Sequence, residues 1–180
     1  MPISPDARAT LILGGVRSGK SRLAERLARE SGLRVTYLAT ALAGDDEMRA
    51  RIAGHRARRP ADWHLVEEPL RLAATLTDVC AEDRCVLVEC LTLWLTNLLC
   101  GDDETRLLKE LGALHTRLPT LPGQLIFVTN EVNMGVIPMD PLSRRFCDHA
   151  GALHQALAAA CDRVILTVAG LPMAIKGAAP

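Results

Sequence analysis

The chain reads as an α/β protein with a mostly parallel sheet and helices on both faces. Two observations carry that expectation. Short, continuously apolar runs rich in β-branched residues alternate with longer stretches whose apolar residues recur at helical spacing. A glycine-rich turn, Gly14-Gly15-Val16-Arg17-Ser18-Gly19-Lys20-Ser21, joins the first apolar run to the first helical stretch.

The runs expected to form strands are 9–14, 34–39, 85–89, 124–129 and 162–168. They lack the in-out alternation of a half-exposed sheet, so they suit parallel strands covered on both faces. Helical patterns fall between them at 20–30, 45–58, 69–79, 91–99, 103–117 and 141–160. In the first of these, Leu23 and Leu27 share a face with Ala24 and Ala28. The tail Leu171-Pro172-Met173-Ala174-Ile175-Lys176 reads as a final edge strand. No repeat or linker interrupts the chain, so residues 1–180 are expected to form one domain. Strand alternating with helix places ligands at the carboxyl ends of the strands, which directs attention to the residues found there.

The glycine-rich turn matches the phosphate-loop pattern G-x-x-x-x-G-K-[ST] at every fixed position. Such a turn gathers backbone N–H groups at a positive helix end, an arrangement that holds a polyphosphate. Lys20 would reach the outer phosphates, and the Ser21 hydroxyl would ligate Mg²⁺.

Hydrophobic residues make up 49% of the chain but aromatic ones only 3%, so the core has to be built from Leu, Val, Ile and Ala. The 21 basic and 21 acidic side chains cancel, which argues against a nucleic-acid partner. Met1 to Asp6 lacks the apolar centre of a secretory signal. The most apolar segment, Cys85 to Cys100, is broken by Glu89, Thr92, Thr96 and Asn97 and falls short of a membrane span. The expectation is a soluble cytoplasmic protein. Six cysteines (Cys80, Cys85, Cys90, Cys100, Cys147 and Cys161) show no C-x-x-C pair and read as reduced, mostly buried small hydrophobes.

Several residues outside the loop could carry chemistry. Glu89 ends the run Val86-Leu87-Val88, where phosphate-loop proteins place an Mg²⁺-holding carboxylate, more often Asp. Otherwise it is an ordinary strand-end carboxylate. Glu131, in Thr129-Asn130-Glu131-Val132-Asn133-Met134-Gly135, is either a site residue or part of a turn. Of the five histidines, His55 stands apart because Arg56, Arg58 and Arg59 follow it, cations that suit a triphosphate or a solvated face.

Taken together, these strings resemble the bifunctional adenosylcobinamide kinase/adenosylcobinamide-phosphate guanylyltransferase family of cobalamin biosynthesis. The resemblance rests on G-G-x-R-S-G-K-S at 14–21, Tyr37 to Thr40, the D-D-E-M-x-x-R-I-x-x-H segment from Asp45 to His55, and Arg59 to Trp63. It continues through Leu87 to Thr92, Thr96 to Leu99 and the T-N-E-V string from Thr129 to Pro138, and extends to the pattern at 162–170. It implies a P-loop nucleoside triphosphate-binding fold of RecA-like type.

It also implies two reactions: phosphorylation of the aminopropanol hydroxyl of adenosylcobinamide by ATP or GTP, then transfer of GMP from GTP to that phosphate. The second step would run through a guanylylated histidine, here His55, with Lys20 as the other catalytic residue. The nucleotide contacts carried over are Gly14 to Ser21, Ala39, Thr40, Ala41, Arg56, Ala57, Arg58, Arg59, Glu67 and Glu89. Mg²⁺ would sit at Ser21 and Glu89, and the resemblance suggests a homotrimer. Three departures stand out: Asn133 where Gly is common, Cys147 where Arg is usual and His154 where Asn is usual.

Two other readings compete. A single-function small-molecule kinase would use the loop, Ser21 and Glu89 and leave His55 idle. A GTP-dependent regulatory switch would bind and slowly hydrolyse GTP, although no N-K-x-D element is present.

Overall fold

The computed structural model describes residues 7–42, 44, 46, 49, 54, 60–101 and 103–180. Seven strands form one sheet: β1 (Ala9–Gly14), β2 (Arg34–Ala39), β3 (His64–Glu67), β4 (Arg84–Glu89), β5 (Gln124–Asn130), β6 (Arg163–Val168) and β7 (Leu171–Lys176). Their order is β3-β2-β4-β5-β1-β6-β7. Every neighbouring pair is parallel except β6 with β7, which is antiparallel. The described helices are α1 (Lys20–Glu30), α2 (Leu72–Val79), α3 (Leu91–Cys100), α4 (Glu104–Arg117) and α5 (Pro141–Ala160), with a 3₁₀ turn at Leu118–Thr120.

The sheet separates two cores. On one side α1 lays Leu23, Ala24, Leu27 and Ala28 over Ile12, Tyr37, Leu87, Ile126, Val128 and Ile165. On the other, the leucines and Trp94 of α2, α3, α4 and α5 cover Leu11, Leu38, Val86, Val88, Leu125 and Phe127. The alternating assignment of β-strand residues to the two cores explains their uninterrupted apolar character. Each fully buried leucine contributes roughly 1.5–3 kcal/mol of transfer free energy, so leucine replaces the missing aromatics. Trp94 is one of only two tryptophans, and its indole N–H donates to the Leu70 carbonyl at 2.9 Å.

The five expected strands are present within a residue at each end, and the expected edge strand forms as β7. The expectation omits β3. It spans only His64–Glu67, with both ends exposed and only Leu65 and Val66 half-buried between them, so the apolar run is too short to betray it. Helix α2 starts at Leu72, later than expected, because the Glu68 carboxylate accepts the Leu70 and Arg71 N–H groups at 2.9 Å and holds a turn there. The helix expected at 45–58 lies mostly outside the described residues.

The cysteines are all free. Burial raises the thiols of Cys80 and Cys85 to about 11 and that of Cys161 to about 12, which makes them poor nucleophiles. Cys100 is the exposed exception. No described helix is long and apolar enough to cross a membrane.

Candidate nucleotide site

The glycine-rich turn leaves β1 and enters α1 at the carboxyl end of the sheet. Gly19 has φ +100°, in the left-handed region that favours glycine. A Cβ on Gly14 would lie 2.5 Å from both the Ser18 Oγ and the Thr167 carbonyl oxygen, so no larger residue fits there. Arg17 also takes a positive φ, 57°, which completes the reversal. Its guanidinium and the Val16 side chain are exposed above the loop.

The loop leans on the β6–β7 turn, a support that reading the motif alone does not reveal. Ala169 and Gly170 have φ of 50° and 83°, as a two-residue hairpin turn requires. The Gly170 N–H donates to the Ser18 carbonyl at 2.8 Å. A Cβ on Gly19 would come within 3.1 Å of the Gly170 Cα. The sequence signal was the Ala-Gly pair flanked by two β-rich runs.

Lys20 is 8% exposed and its ammonium donates to the Gly15 carbonyl at 2.9 Å, folding back over the loop. Burial lowers its pKa from the ordinary lysine value, while Cys90 and Glu89 offset part of that. A bound phosphate would supply further counter-charge. The Ser18 hydroxyl is buried without a hydrogen-bond partner among the described residues.

The Ser21 hydroxyl donates to the Glu89 carboxylate at 2.8 Å. A hydroxyl and a carboxylate in contact form a hard oxygen pair of the kind Mg²⁺ takes when phosphate and water complete its shell. Among the described residues no cluster of three or more His, Cys, Asp or Glu side chains could hold a metal. The Ser21–Glu89 donor pair fits Mg²⁺ bound together with a nucleotide.

Glu67 and Glu89 are brought onto one rung of the sheet. Both pair in register with Ala39, one from β3 and the other from β4. Residues in register on parallel neighbours point to the same face, and two strand spacings separate the pair by about 9–10 Å. Thr40 and Ala41 continue from Ala39 along the sheet's rim. The Thr40 side chain is fully buried and acts as a clamp, donating to the Cys90 carbonyl at 2.7 Å and accepting its N–H at 2.9 Å. Asn97 donates to the Thr40 carbonyl at 2.8 Å. Thr40 thereby locks β2 to β4 directly behind Glu89. His55, Arg56, Ala57, Arg58 and Arg59 lie outside the described residues.

The ambiguous Glu131 serves the turn that follows β5. Its backbone N–H donates to the Gly14 carbonyl at 3.0 Å, and its carboxylate accepts the Asn133 N–H at 2.7 Å. The second carboxylate oxygen lies 3.7 Å from Nδ1 of His154. Nε2 of His154 is 3.0 Å from the Thr129 hydroxyl. Burial lowers the His154 pKa against the opposing pull of Glu131. Asn133 also donates to the Cys147 carbonyl at 3.2 Å. Of the three departures noted in the sequence, Asn133 and His154 thus both meet the Glu131 carboxylate, and Cys147 joins them only through its backbone carbonyl on Asn133.

Comparison with known proteins shows the family and the fold. The cobinamide kinase / cobinamide phosphate guanyltransferase family matches over residues 10–175. A bifunctional adenosylcobalamin biosynthesis protein of Pseudomonas aeruginosa, CobP, is 64% identical over 167 residues, covering 93% of this chain and 96% of that protein. Its counterpart from Salmonella typhimurium, CobU, is 40% identical over 179 residues, covering 92% and 98%. Among solved structures, the type III secretion ATPase EscN of enteropathogenic E. coli superposes with a TM-score of 0.56 at 13% identity, over 91% of this chain and 43% of that one. The RadB recombinase superposes with a TM-score of 0.52 at 18% identity, over 88% and 73%. The structural likenesses establish the fold, a P-loop architecture of RecA-like type.

Proposed function

The chain belongs to the cobinamide kinase / cobinamide phosphate guanyltransferase family, and from that premise we propose how its residues divide the work. The protein is an enzyme of cobalamin nucleotide-loop assembly. It phosphorylates cobinamide and then transfers a guanylyl group to the product. We read residues 1–180 as one domain that performs both reactions at the loop Gly14–Ser21, in the cytoplasm and as a homotrimer. The observation that carries this reading is the 2.8 Å contact between Ser21 and Glu89 beside the buried Lys20.

In the first reaction the loop's N–H groups and Lys20 hold the terminal phosphates of ATP or GTP. Ser21 and Glu89 would hold Mg²⁺, which would supply positive charge to the phosphate oxygens. The loop orients the γ-phosphoryl group for attack by the aminopropanol hydroxyl of adenosylcobinamide.

In the second reaction the attack moves to the α-phosphorus of GTP. An imidazole nitrogen of His55 forms a P–N bond as the bond to pyrophosphate breaks. The substrate's phosphate oxygen then displaces the histidine, giving adenosylcobinamide-GDP. Splitting one difficult displacement into two is the advantage of a covalent relay. Arg56, Arg58 and Arg59, with Ala57 between them, bring charge to the departing pyrophosphate. Incubating the enzyme with GTP labelled at the α-phosphate checks the relay. An acid-labile protein label should appear without corrinoid and be chased into product by cobinamide phosphate. No label under Mg²⁺ would leave only a kinase.

Glu67 supplies guanine selectivity in this scheme. A carboxylate accepts the N1–H and 2-amino group of guanine, and adenine offers no matching pair. Glu67→Ala should reduce the GTP-over-ATP binding preference by about tenfold or more, the scale of a charged hydrogen-bond pair. Competition binding of the two nucleotides measures it, and an unchanged ratio removes Glu67 from this role.

A further inference from the structure

We propose that the loop following β5, residues 132–139, is the platform on which the corrin ring of cobinamide rests in both reactions. The inference builds on the function proposed above and assigns its bulky substrate a place.

The loop presents Val132, Met134, Val136, Ile137 and Met139 to solvent, with Val136 95% and Met139 94% exposed. Five large apolar side chains turned outward within eight residues are unusual on a protein surface and mark one that receives something. The side chains are displayed on a fixed backbone. Glu131 holds the Asn133 N–H at 2.7 Å, and the Asn133 amide donates to the Cys147 carbonyl at 3.2 Å. Arg144 donates to the Pro138 carbonyl at 3.1 Å, and Asp140 caps α5 through the Ser143 N–H at 2.8 Å. Helix α5 therefore anchors both ends of the loop.

Position selects the occupant. In register, Gly14 pairs with Asn130, and the Glu131 N–H bonds to the Gly14 carbonyl, so the loop starts at the foot of the phosphate loop. Ser21 turns toward Glu89 on β4, and β5 lies between β4 and β1. The terminal phosphates, held at that contact, face across the end of β5. An acceptor hydroxyl has to reach them from there, carried on the short aminopropanol arm of a large ring. The rim of that ring is studded with methyl groups and amide chains. Apolar side chains match the methyls, and two of the five are methionines, whose unbranched thioethers adapt to an irregular rim.

The β7 edge also exposes Leu171, Met173 and Ile175, but it differs in kind. It is an open sheet edge with backbone groups available to another strand. The two reactions alter only the far end of the arm, so one ring platform serves both.

The test is the triple variant V136S/I137S/M139S of the full-length enzyme. All three side chains are exposed, so the fold does not depend on them. The KM for cobinamide should rise by about tenfold or more, on the scale of several lost methyl contacts. The KM for nucleotide and the protein label formed from GTP without corrinoid should stay at wild-type values. The matching leucine variant V136L/I137L/M139L should restore the cobinamide KM. An unchanged cobinamide KM overturns the proposal. So does a drop in sedimentation coefficient of the serine variant, which would make this loop a contact between copies of the chain. A wild-type enzyme inactive on cobinamide overturns both this proposal and the function beneath it.

Discussion

Lys20→Met should slow both reactions sharply while leaving the fold at least as stable as before. The lysine is 8% exposed, and its nearest bonded partner is a neutral carbonyl, that of Gly15. Desolvation dominates its environment and lowers its pKa, with Cys90 and Glu89 only offsetting it. A lysine whose folded pKa lies below its unfolded value binds fewer protons when folded. Its ammonium therefore costs stability at neutral pH, and that cost fades as pH rises from the folded value toward the unfolded one. A methionine of similar length fills the space without the charge, so thermal unfolding at neutral pH should show a midpoint equal to or above wild type.

Activity follows the opposite logic. A bound polyphosphate would add counter-charge beyond what Glu89 provides, and this desolvated ammonium has more to gain from it than a solvated lysine would. Its removal should lower both kinase turnover and guanylyl transfer by about 10²–10³-fold, the scale of a lost preorganised donor in a dry site. Nucleotide affinity of the wild type should also fall as pH rises through the lowered Lys20 value. Parallel measurement of unfolding and of both activities checks this. A variant that loses stability and activity together would make Lys20 a structural residue.

Much of this molecule was legible because its chemistry restricts residue type. Gly14 and Gly19 allow no Cβ for steric and dihedral reasons, so the phosphate loop announces itself in any sequence that contains it. The six strands read from the sequence are legible because nearly all lie between two cores and must be apolar throughout. β3 was illegible because a four-residue edge strand at the sheet's margin has no such requirement.

The residues supporting the site were harder to read. Thr40 looks like a ligand in the string Tyr37 to Thr40, but its hydroxyl is engaged with both backbone groups of Cys90, fifty residues away. Such a partnership depends on β2 lying beside β4, which no local pattern announces. The cluster around Glu131 teaches the same point. Asn133, Cys147 and His154 look like three unrelated departures along the chain, and folding makes them neighbours. Glu67 and Glu89 share a rung only because β3 and β4 both pair with β2.

His55→Asn separates the two reactions. On the proposed reading, phosphorylation of cobinamide uses the loop, Lys20, Ser21 and Glu89, all placed by β1, α1 and β4. None of these requires an imidazole. Kinase turnover should therefore stay within about threefold of wild type, the range expected when no transition-state contact is lost. Guanylyl transfer requires a nucleophile at the α-phosphorus, beyond the reach of groups that hold the terminal phosphates. Asparagine keeps the size and polarity of the side chain but has no nucleophilic nitrogen. Removing a covalent nucleophile typically costs about 10⁴-fold or more. The acid-labile label from α-labelled GTP should vanish, and the reaction should stop at adenosylcobinamide phosphate, which would accumulate. That accumulation is the discriminating readout, because a merely misfolded variant would make neither product. If His55→Asn instead completed adenosylcobinamide-GDP at the wild-type rate, the α-phosphorus would have to be attacked directly by the substrate phosphate. The second half of the site would then lie elsewhere.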